Sequence, residues 1–286
     1  MISPRLLRRR IRSIQSTAKI TKAMEMIATA RMRRAQEQAL AGRPYAEKIS
    51  RVIADLAAQP QDNGAIHPLL ERREVKKIAI LHITTDRGLC GGLNANMNRM
   101  VATFILEQTV PVVLITVGRK GRDFMLRHAR NLRAEFTGIG DRPTLMDTLP
   151  ISRVVIDDYT TGYVDLVYLA YSRFTSTMVQ RPTLEPLLPV EPAVFPKTES
   201  LEYIYEPAPH FVLGQLLPRF VQIEVYHAIL EAIASEQSAR MVAMRNATEN
   251  ANELIEDLII TLNKARQEMI TKELLDITGG AEALAK

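Results

Sequence analysis

The residues best suited to chemistry stand together at 84–94, Thr84-Thr85-Asp86-Arg87-Gly88-Leu89-Cys90-Gly91-Gly92-Leu93-Asn94. A glycine-rich turn between a strand and a helix can present backbone N–H groups to a phosphate at the helix N-terminus. The spacing here is neither GxGxxG nor GxxxxGK[ST], and the lysine that would neutralise phosphate charge is absent. A tight strand-to-helix crossover capped by Asp86 or Asn94 is therefore expected. A nucleotide-binding catalyst built on the same turn is the enzymatic alternative.

Cys90 is the single cysteine, so no intrachain disulfide forms and no cysteine metal cluster is possible. As a nucleophile it would need a base. None of His67, His82, His128, His210 and His227 stands at a spacing that indicates a Cys-His pair, and a small buried thiol is the expectation. The same histidines are too scattered for zinc. Asp157, Asp158 and Glu206 have no recognisable carboxylate partner. The sequence thus predicts no catalytic site, no metal and no cofactor.

The charge pattern points instead to a partner. Residues 1–34 hold ten bases (Arg5, Arg8, Arg9, Arg10, Arg12, Lys19, Lys22, Arg31, Arg33, Arg34) against Glu25, which is +9, whereas the whole chain is +5 and the remainder therefore −4. Such a segment seeks an acidic protein surface, nucleic acid or anionic lipid. A DNA-binding coiled-coil protein is a third alternative, but no aromatic platform or recognition motif accompanies the arginines.

These residues must be carried by long helices. Between Pro4 and Gly42, and again between Pro218 and Gly279, the chain has neither proline nor glycine, over 37 and 60 residues. At 1.5 Å per residue the runs correspond to helices of roughly 55 and roughly 90 Å. A globule of this length has a radius of gyration of only about 19 Å, so such helices must project or pack lengthwise.

Both runs show 3-4 apolar spacing. Positions 7, 11, 14, 18, 21, 25, 28, 32, 35 and 39 are apolar in eight of ten cases. Positions 230, 234, 237, 241, 244, 248, 251, 255, 258, 262, 265 and 269 are apolar in ten of twelve. Heptads sustained this far predict an antiparallel coiled coil of the two chain ends rather than two separate amphipathic helices. Over 224–276 acids outnumber bases ten to five, and this opposite charge is expected to favour the pairing modestly. The C-terminal run is the longer, so Leu274, Leu275, Ile277, Ala281, Ala283, Leu284 and Ala285 are left without cover.

The middle of the chain reads as a Rossmann-like α/β domain. Ile78–Thr84 and Val112–Val117 are β-branched runs typical of buried strands. Helices are expected over Asn94–Glu107 and after Gly118 or Gly121. Val164–Ser172 and Thr183–Val190 read as a hairpin with Pro182, Pro186 and Pro189 at edge or irregular positions, and 190–210 as a loop. The expected division is a discontinuous coiled coil of 1–60 and 210–286 around an α/β domain of 75–209. Apolar residues make up 47% of the 286 and charged ones 24%, ordinary for a globular chain with a sizeable core. No run of about 18 uncharged apolar residues spans a bilayer, and the N-terminus lacks the pattern of a secretory signal.

Several segments taken together are more specific. Arg8-Arg9-Arg10-Ile11-Arg12-Ser13-Ile14, Lys19-Ile20-Thr21-Lys22-Ala23-Met24-Glu25-Met26 and Ala30-Arg31-Met32-Arg33-Arg34-Ala35-Gln36 resemble the N-terminal helix of the γ subunits of F-type ATP synthases. So do TTDRGLCGGLNANMNR at 84–99 and, near the C-terminus, ASEQSARMVAMRNATENANELIEDL and NKARQEMITKELLDITGGAEAL. The resemblance implies a central rotor shaft that threads a hexamer of α and β subunits, with the α/β domain against ε and a proton-driven ring of c subunits. It implies contact with β through Arg8, Arg9, Lys19, Lys22, Met24, Arg33, Arg240, Gln267 and Thr271, and a foot near the c ring at Tyr205 and Glu206. It implies neither nucleic acid nor cofactor, and a peripheral place on the cytoplasmic face of a bacterial plasma membrane, with an organellar membrane as the alternative. Plant plastid γ chains carry an inserted cysteine pair; with Cys90 alone, that type of redox switching is excluded.

Overall fold

The computed structural model describes residues 3–58, 67–128, 131–191, 205–206 and 208–284. Its elements run α1 (Pro4–Ala58), β1 (Ile78–Ile83), α2 (Leu93–Glu107), β2 (Val112–Val117), α3 (Arg119–His128), β3 (Leu132–Phe136), α4 (Leu145–Thr160), β4 (Leu166–Phe174), β5 (Gln180–Leu188) and α5 (Pro209–Leu284). They form two compact units, Thr29–Arg240 and Met1–Ala28 with Met241–Lys286.

In the unit Thr29–Arg240 a five-stranded sheet has the order β3-β2-β1-β4-β5. The first four strands are parallel, and β5 returns antiparallel along β4. β1 and β2 are buried along their whole length because helices cover both faces of the sheet. Ile78, Ile80, Val112 and Leu114 face Met97 and Val101 of α2 and Met125 of α3. Ala79, Leu81, Ile83, Ile115 and Val117 join a larger core with Ile49, Ile53 and Leu56 of α1, Ile151, Val155 and Tyr159 of α4, and Leu213, Leu217 and Val221 of α5.

The expected hairpin is present as β4 and β5, with Pro182 and Pro186 on the edge strand, where a missing N–H costs no ladder bond. Two elements had not been expected. β3 (LRAEF) is a strand with half-buried and exposed residues alternating. α4 opens on a capping box between Thr144 and Asp147, in which the Thr144 N–H donates to Asp147 Oδ2 at 2.7 Å.

Glycine and proline also fail to end the long helices. α1 passes through Gly42 and Pro44, and α5 begins at Pro209 and continues through Gly214, Pro218 and Gly279. A proline removes one helical hydrogen bond. On either side of Pro44 and Pro218, residues such as Ala35, Ile49, Leu217 and Val221 are anchored in the core, and that packing holds the helix across the break. At Gly42 a Cβ would lie 2.5 Å from the His227 ring, so the glycine gives the side chain from α5 room against α1. Of the expected loop at 190–210, residues 192–204 and 207 lie outside the described residues.

In the unit formed by Met1–Ala28 and Met241–Lys286, α1 and α5 run antiparallel. Thr21 meets Thr248 and Glu25 meets Arg245, so numbers rise along one helix as they fall along the other. Leu7, Ile11, Thr21, Glu25 and Ala28 are buried on α1, and Met241, Met244 and Ala251 on α5. Ile255, Leu258, Leu262 and Ala265 continue the seam half-buried, and residues 266–279 are exposed throughout. The uncovered end thus includes Leu274, Leu275 and Ile277, while the side chains of Ala281, Ala283 and Leu284, and Ala285 as a whole, lie outside the described residues. Among the described residues the ion pair across this seam joins Glu25, the single acid of the basic segment, to Arg245 of the acidic helix.

Candidate functional site

The glycine-rich turn is fastened to α3, not opened toward a ligand. Three successive N–H groups at the α3 N-terminus are taken by it: Arg119 donates to Asp86 Oδ1 at 3.0 Å, Lys120 to the Thr85 carbonyl at 3.0 Å and Gly121 to Thr84 Oγ1 at 2.8 Å. Asp86 Oδ2 also accepts from the Gly138 N–H at 2.8 Å. Helix N-termini carry partial positive charge and unpaired donors, which is why phosphates bind there. Here an internal carboxylate and two internal oxygens fill that role. Gly118, at φ +94, is packed so closely that a Cβ would sit 2.3 Å from the Thr84 carbonyl oxygen.

Capping therefore occurs, but not of α2 as the sequence had suggested. The N-cap residue of α2 is Gly92, without a side-chain bond. Asn94 works inside the turn, where Oδ1 accepts from the Thr85 N–H at 3.3 Å and Nδ2 donates to Thr85 Oγ1 at 2.8 Å and to Cys90 Sγ at 3.2 Å. The remaining crevice, 190 Å³ at the carboxyl ends of the strands, is lined by Asp86, Arg119, Gly138 and Asp141 and by Ile229, Ile233 and Glu236 of α5.

Cys90 is buried beside Leu93 and Ala239, and burial raises its thiol pKa, the reverse of what a nucleophile needs. His82 is fully buried on the sheet, and desolvation lowers its pKa to about 3. Asp158 is committed to Arg133 at 3.0 Å, and Asp157 lies 3.8 Å from Arg153. Among the described residues no group of histidine, cysteine, aspartate and glutamate could hold a metal ion, and no helix is long and apolar enough to cross a membrane.

What remains is surface. On the unit of Met1–Ala28 and Met241–Lys286, Arg8, Arg9 and Lys19 are exposed, Met24 is half-buried, and Gln267 and Thr271 are exposed one turn apart, Thr271 Oγ1 donating to the Gln267 carbonyl at 2.9 Å. Leu6, Ile20, Met26 and Ile27 of α1 and Leu254, Ile260, Met269 and Ile270 of α5 are large apolar side chains open to solvent. Apolar exposure on this scale marks an interaction surface. Lys22 bonds to Glu25, whose pKa is lowered chiefly by that bond, against the effect of burial.

On the other unit, Arg33 is exposed and paired with Glu37 at 3.1 Å. Arg240 is buried; it pairs with Glu236 at 2.5 Å and donates to the Gly88 carbonyl at 3.2 Å, which pins the glycine-rich turn to α5. Tyr205 donates to Asp55 Oδ2 at 2.7 Å and packs on the main core, while Glu206 is exposed. Arg245 and Asp55 escaped the sequence reading. The signal for Arg245 lay in the seam itself, where the polar residues Thr21 and Glu25 interrupt the apolar positions and require matching polar groups on the facing helix.

A protein-family model described as ATP synthase matches residues 3–284. The ATP synthase gamma chain of Dehalococcoides mccartyi (strain CBDB1) is 63% identical over 285 residues, covering all of both chains. That of Herpetosiphon aurantiacus is 48% identical over 293 residues and 99% of each chain. Among solved structures, a chain of the Euglena gracilis mitochondrial ATP synthase (OSCP/F1/c-ring) has a TM-score of 0.69 at 21% identity, covering 98% of this chain and 94% of that one. A chain from the Tetrahymena thermophila mitochondrial ATP synthase (central stalk/c-ring) has a TM-score of 0.62 at 24% identity, covering 80% and 99%. At these identities the structures establish likeness of fold.

Proposed function

The chain belongs to the ATP synthase γ-chain family, and on that premise we propose that it is the central-stalk subunit of the F1 sector of a proton-translocating ATP synthase. It turns inside a hexamer of α and β subunits and couples proton flow through the c ring to ATP synthesis or hydrolysis on β. The observation that carries this reading is the bare end of α5. The seam with α1 ends near Ala265, and the exposed Met269, Ile270, Leu274, Leu275 and Ile277 beyond it need a bearing supplied by other subunits.

The shaft is the discontinuous segment 1–60 with 210–286, and the α/β segment 75–209 meets ε and the c ring. Arg8, Arg9, Lys19, Lys22, Met24, Arg33, Gln267 and Thr271 meet β. Arg240 belongs to the same set, and being buried it acts by holding the 84–92 turn in place. Glu206 faces the c-ring side, with Tyr205 fastened beneath it.

The chain performs no bond chemistry. Its α3 N-terminus, the natural phosphate site of such a fold, is already occupied by Thr84, Thr85 and Asp86. An asymmetric shaft offers a different face to each β subunit, and the energy it transfers equals its differential interaction with their states. Within the complex it is peripheral to the cytoplasmic face of a bacterial plasma membrane.

Affinity purification with mass identification of partners tests the assignment. Recovery of α and β in a three-to-three-to-one complex with this chain is expected. Stoichiometric ATP hydrolysis by the isolated chain, or recovery without α and β, would overturn it.

A further inference from the structure

Glu25 occupies a seam position between α1 and α5, with 8% of its side chain exposed. Its two oxygens serve different cations, Oε2 accepting from Lys22 Nζ at 2.9 Å and Oε1 from Arg245 Nε at 3.1 Å. Those cations stand at the surface, 58% and 52% exposed, one on each helix. A buried carboxylate therefore underlies a two-cation surface, and the three groups carry +1 where the cations alone would carry +2. Arg8, Arg9, Arg12 and Lys19 are exposed on the same helix without a carboxylate partner among the described residues.

Burying a carboxylate is costly even when it is paired, and an apolar residue fills a seam position at lower cost. The charge at position 25 calls for a reason beyond packing. A cation already bonded to an internal carboxylate presents a dipole to an outside acid, and its attraction falls off faster than that of a bare charge. Rotation within a stator requires that contacts form and release at every step, and a full ion pair at one angle would hold the rotor there.

We propose that Glu25 is an internal counter-ion that tempers the hold of Lys22 and Arg245 on an acidic protein surface of the surrounding subunits. The idea rests on the rotor assignment and adds to it a positioning residue, Glu25, and a partner-facing residue, Arg245. The simpler alternative is that Glu25 ties the helices together and nothing more.

The two are separated by reconstituting the full chain with its α and β subunits and measuring affinity and ATP turnover against salt. With a melting curve confirming the fold, Glu25→Gln raises affinity at low salt about fivefold, the scale of one additional exposed ion pair. It also steepens the salt dependence and slows turnover at low salt. Adding Lys22→Gln to it moves all three back toward wild type. Lys22→Gln alone, at an exposed position, lowers affinity.

Weaker binding by Glu25→Gln, an unchanged salt slope, or a double variant no closer to wild type would overturn the counter-ion role. So would wild-type affinity in Lys22→Gln. Failure of the wild-type chain to assemble with α and β would instead remove the rotor assignment beneath it.

Discussion

The hydroxyl oxygens of Thr21 and Thr248 lie 2.7 Å apart across the α1–α5 seam, although 227 residues separate them in the chain. Each also has a local acceptor, Thr21 the Ala18 carbonyl at 3.1 Å and Thr248 the Met244 carbonyl at 2.9 Å. A single Thr→Val change therefore leaves the other hydroxyl satisfied. Each valine variant is expected to lose about 1 kcal/mol, with a coupling of about 0.5–1 kcal/mol in a double-mutant cycle by denaturant unfolding. Strict additivity would show that the hydroxyls do not interact.

Ala251 lies in the same seam, 5% exposed, on an uninterrupted stretch of α5. Ala251→Pro removes a helical hydrogen bond and wedges the ring into the preceding turn, costing about 3 kcal/mol or more. Far-ultraviolet circular dichroism should register lost helix, and assembly with α and β should fail. Unaltered assembly and coupling would mean that a continuous helix is not required there.

Asp86 joins α3 to the loop at Gly138 through two backbone N–H groups. Asp86→Ala leaves both donors unpaired and is expected to lower stability by about 1–2 kcal/mol, with Asp86→Asn in between because one acceptor oxygen survives. Calorimetric melting distinguishes the three. If the alanine variant melts with the wild type, the capping account fails.

His82 should make the protein acid-sensitive. Its pKa in the folded chain is about 3, below the ordinary 6.5, so the unfolded chain binds the extra proton first. The stability that depends on neutral His82 is complete above pH 6.5 and falls as pH drops toward 3, by up to about 1.4 kcal/mol per pH unit. Neither ring nitrogen has a hydrogen-bond partner among the described residues, so His82→Leu strands no polar group. That variant should keep stability at pH 7 within about 1.5 kcal/mol and show a flatter acid limb in urea titrations across this range. An identical limb in both proteins would remove His82 as the cause.

Elements with strong local patterns were legible in the sequence. IAILHI and VVLITV read as buried strands because both faces are covered and every residue can be apolar. LRAEF was missed because, as an edge strand, it alternates Arg133 and Glu135 with half-buried residues, too short a pattern to stand out. α4 was missed although Thr144 and Asp147 form a capping box, and Pro150 lies within that helix. The helices run on past Gly42 and Pro218, the bounds of the runs free of glycine and proline, and through Pro44, because core packing on both sides outweighs one lost hydrogen bond.

The sequence by itself determined the long helices, their antiparallel pairing, their unequal lengths and the family, since heptad spacing and motif order are properties of residues close together along the chain. Only the tertiary structure decided which partner each polar group takes. The 84–94 turn caps α3 and not α2, Arg240 is turned inward to Gly88, and Glu25 is answered by Arg245. Hydrogen bonds and ion pairs are directional and act over about 3 Å, so their partners are set by how distant segments meet.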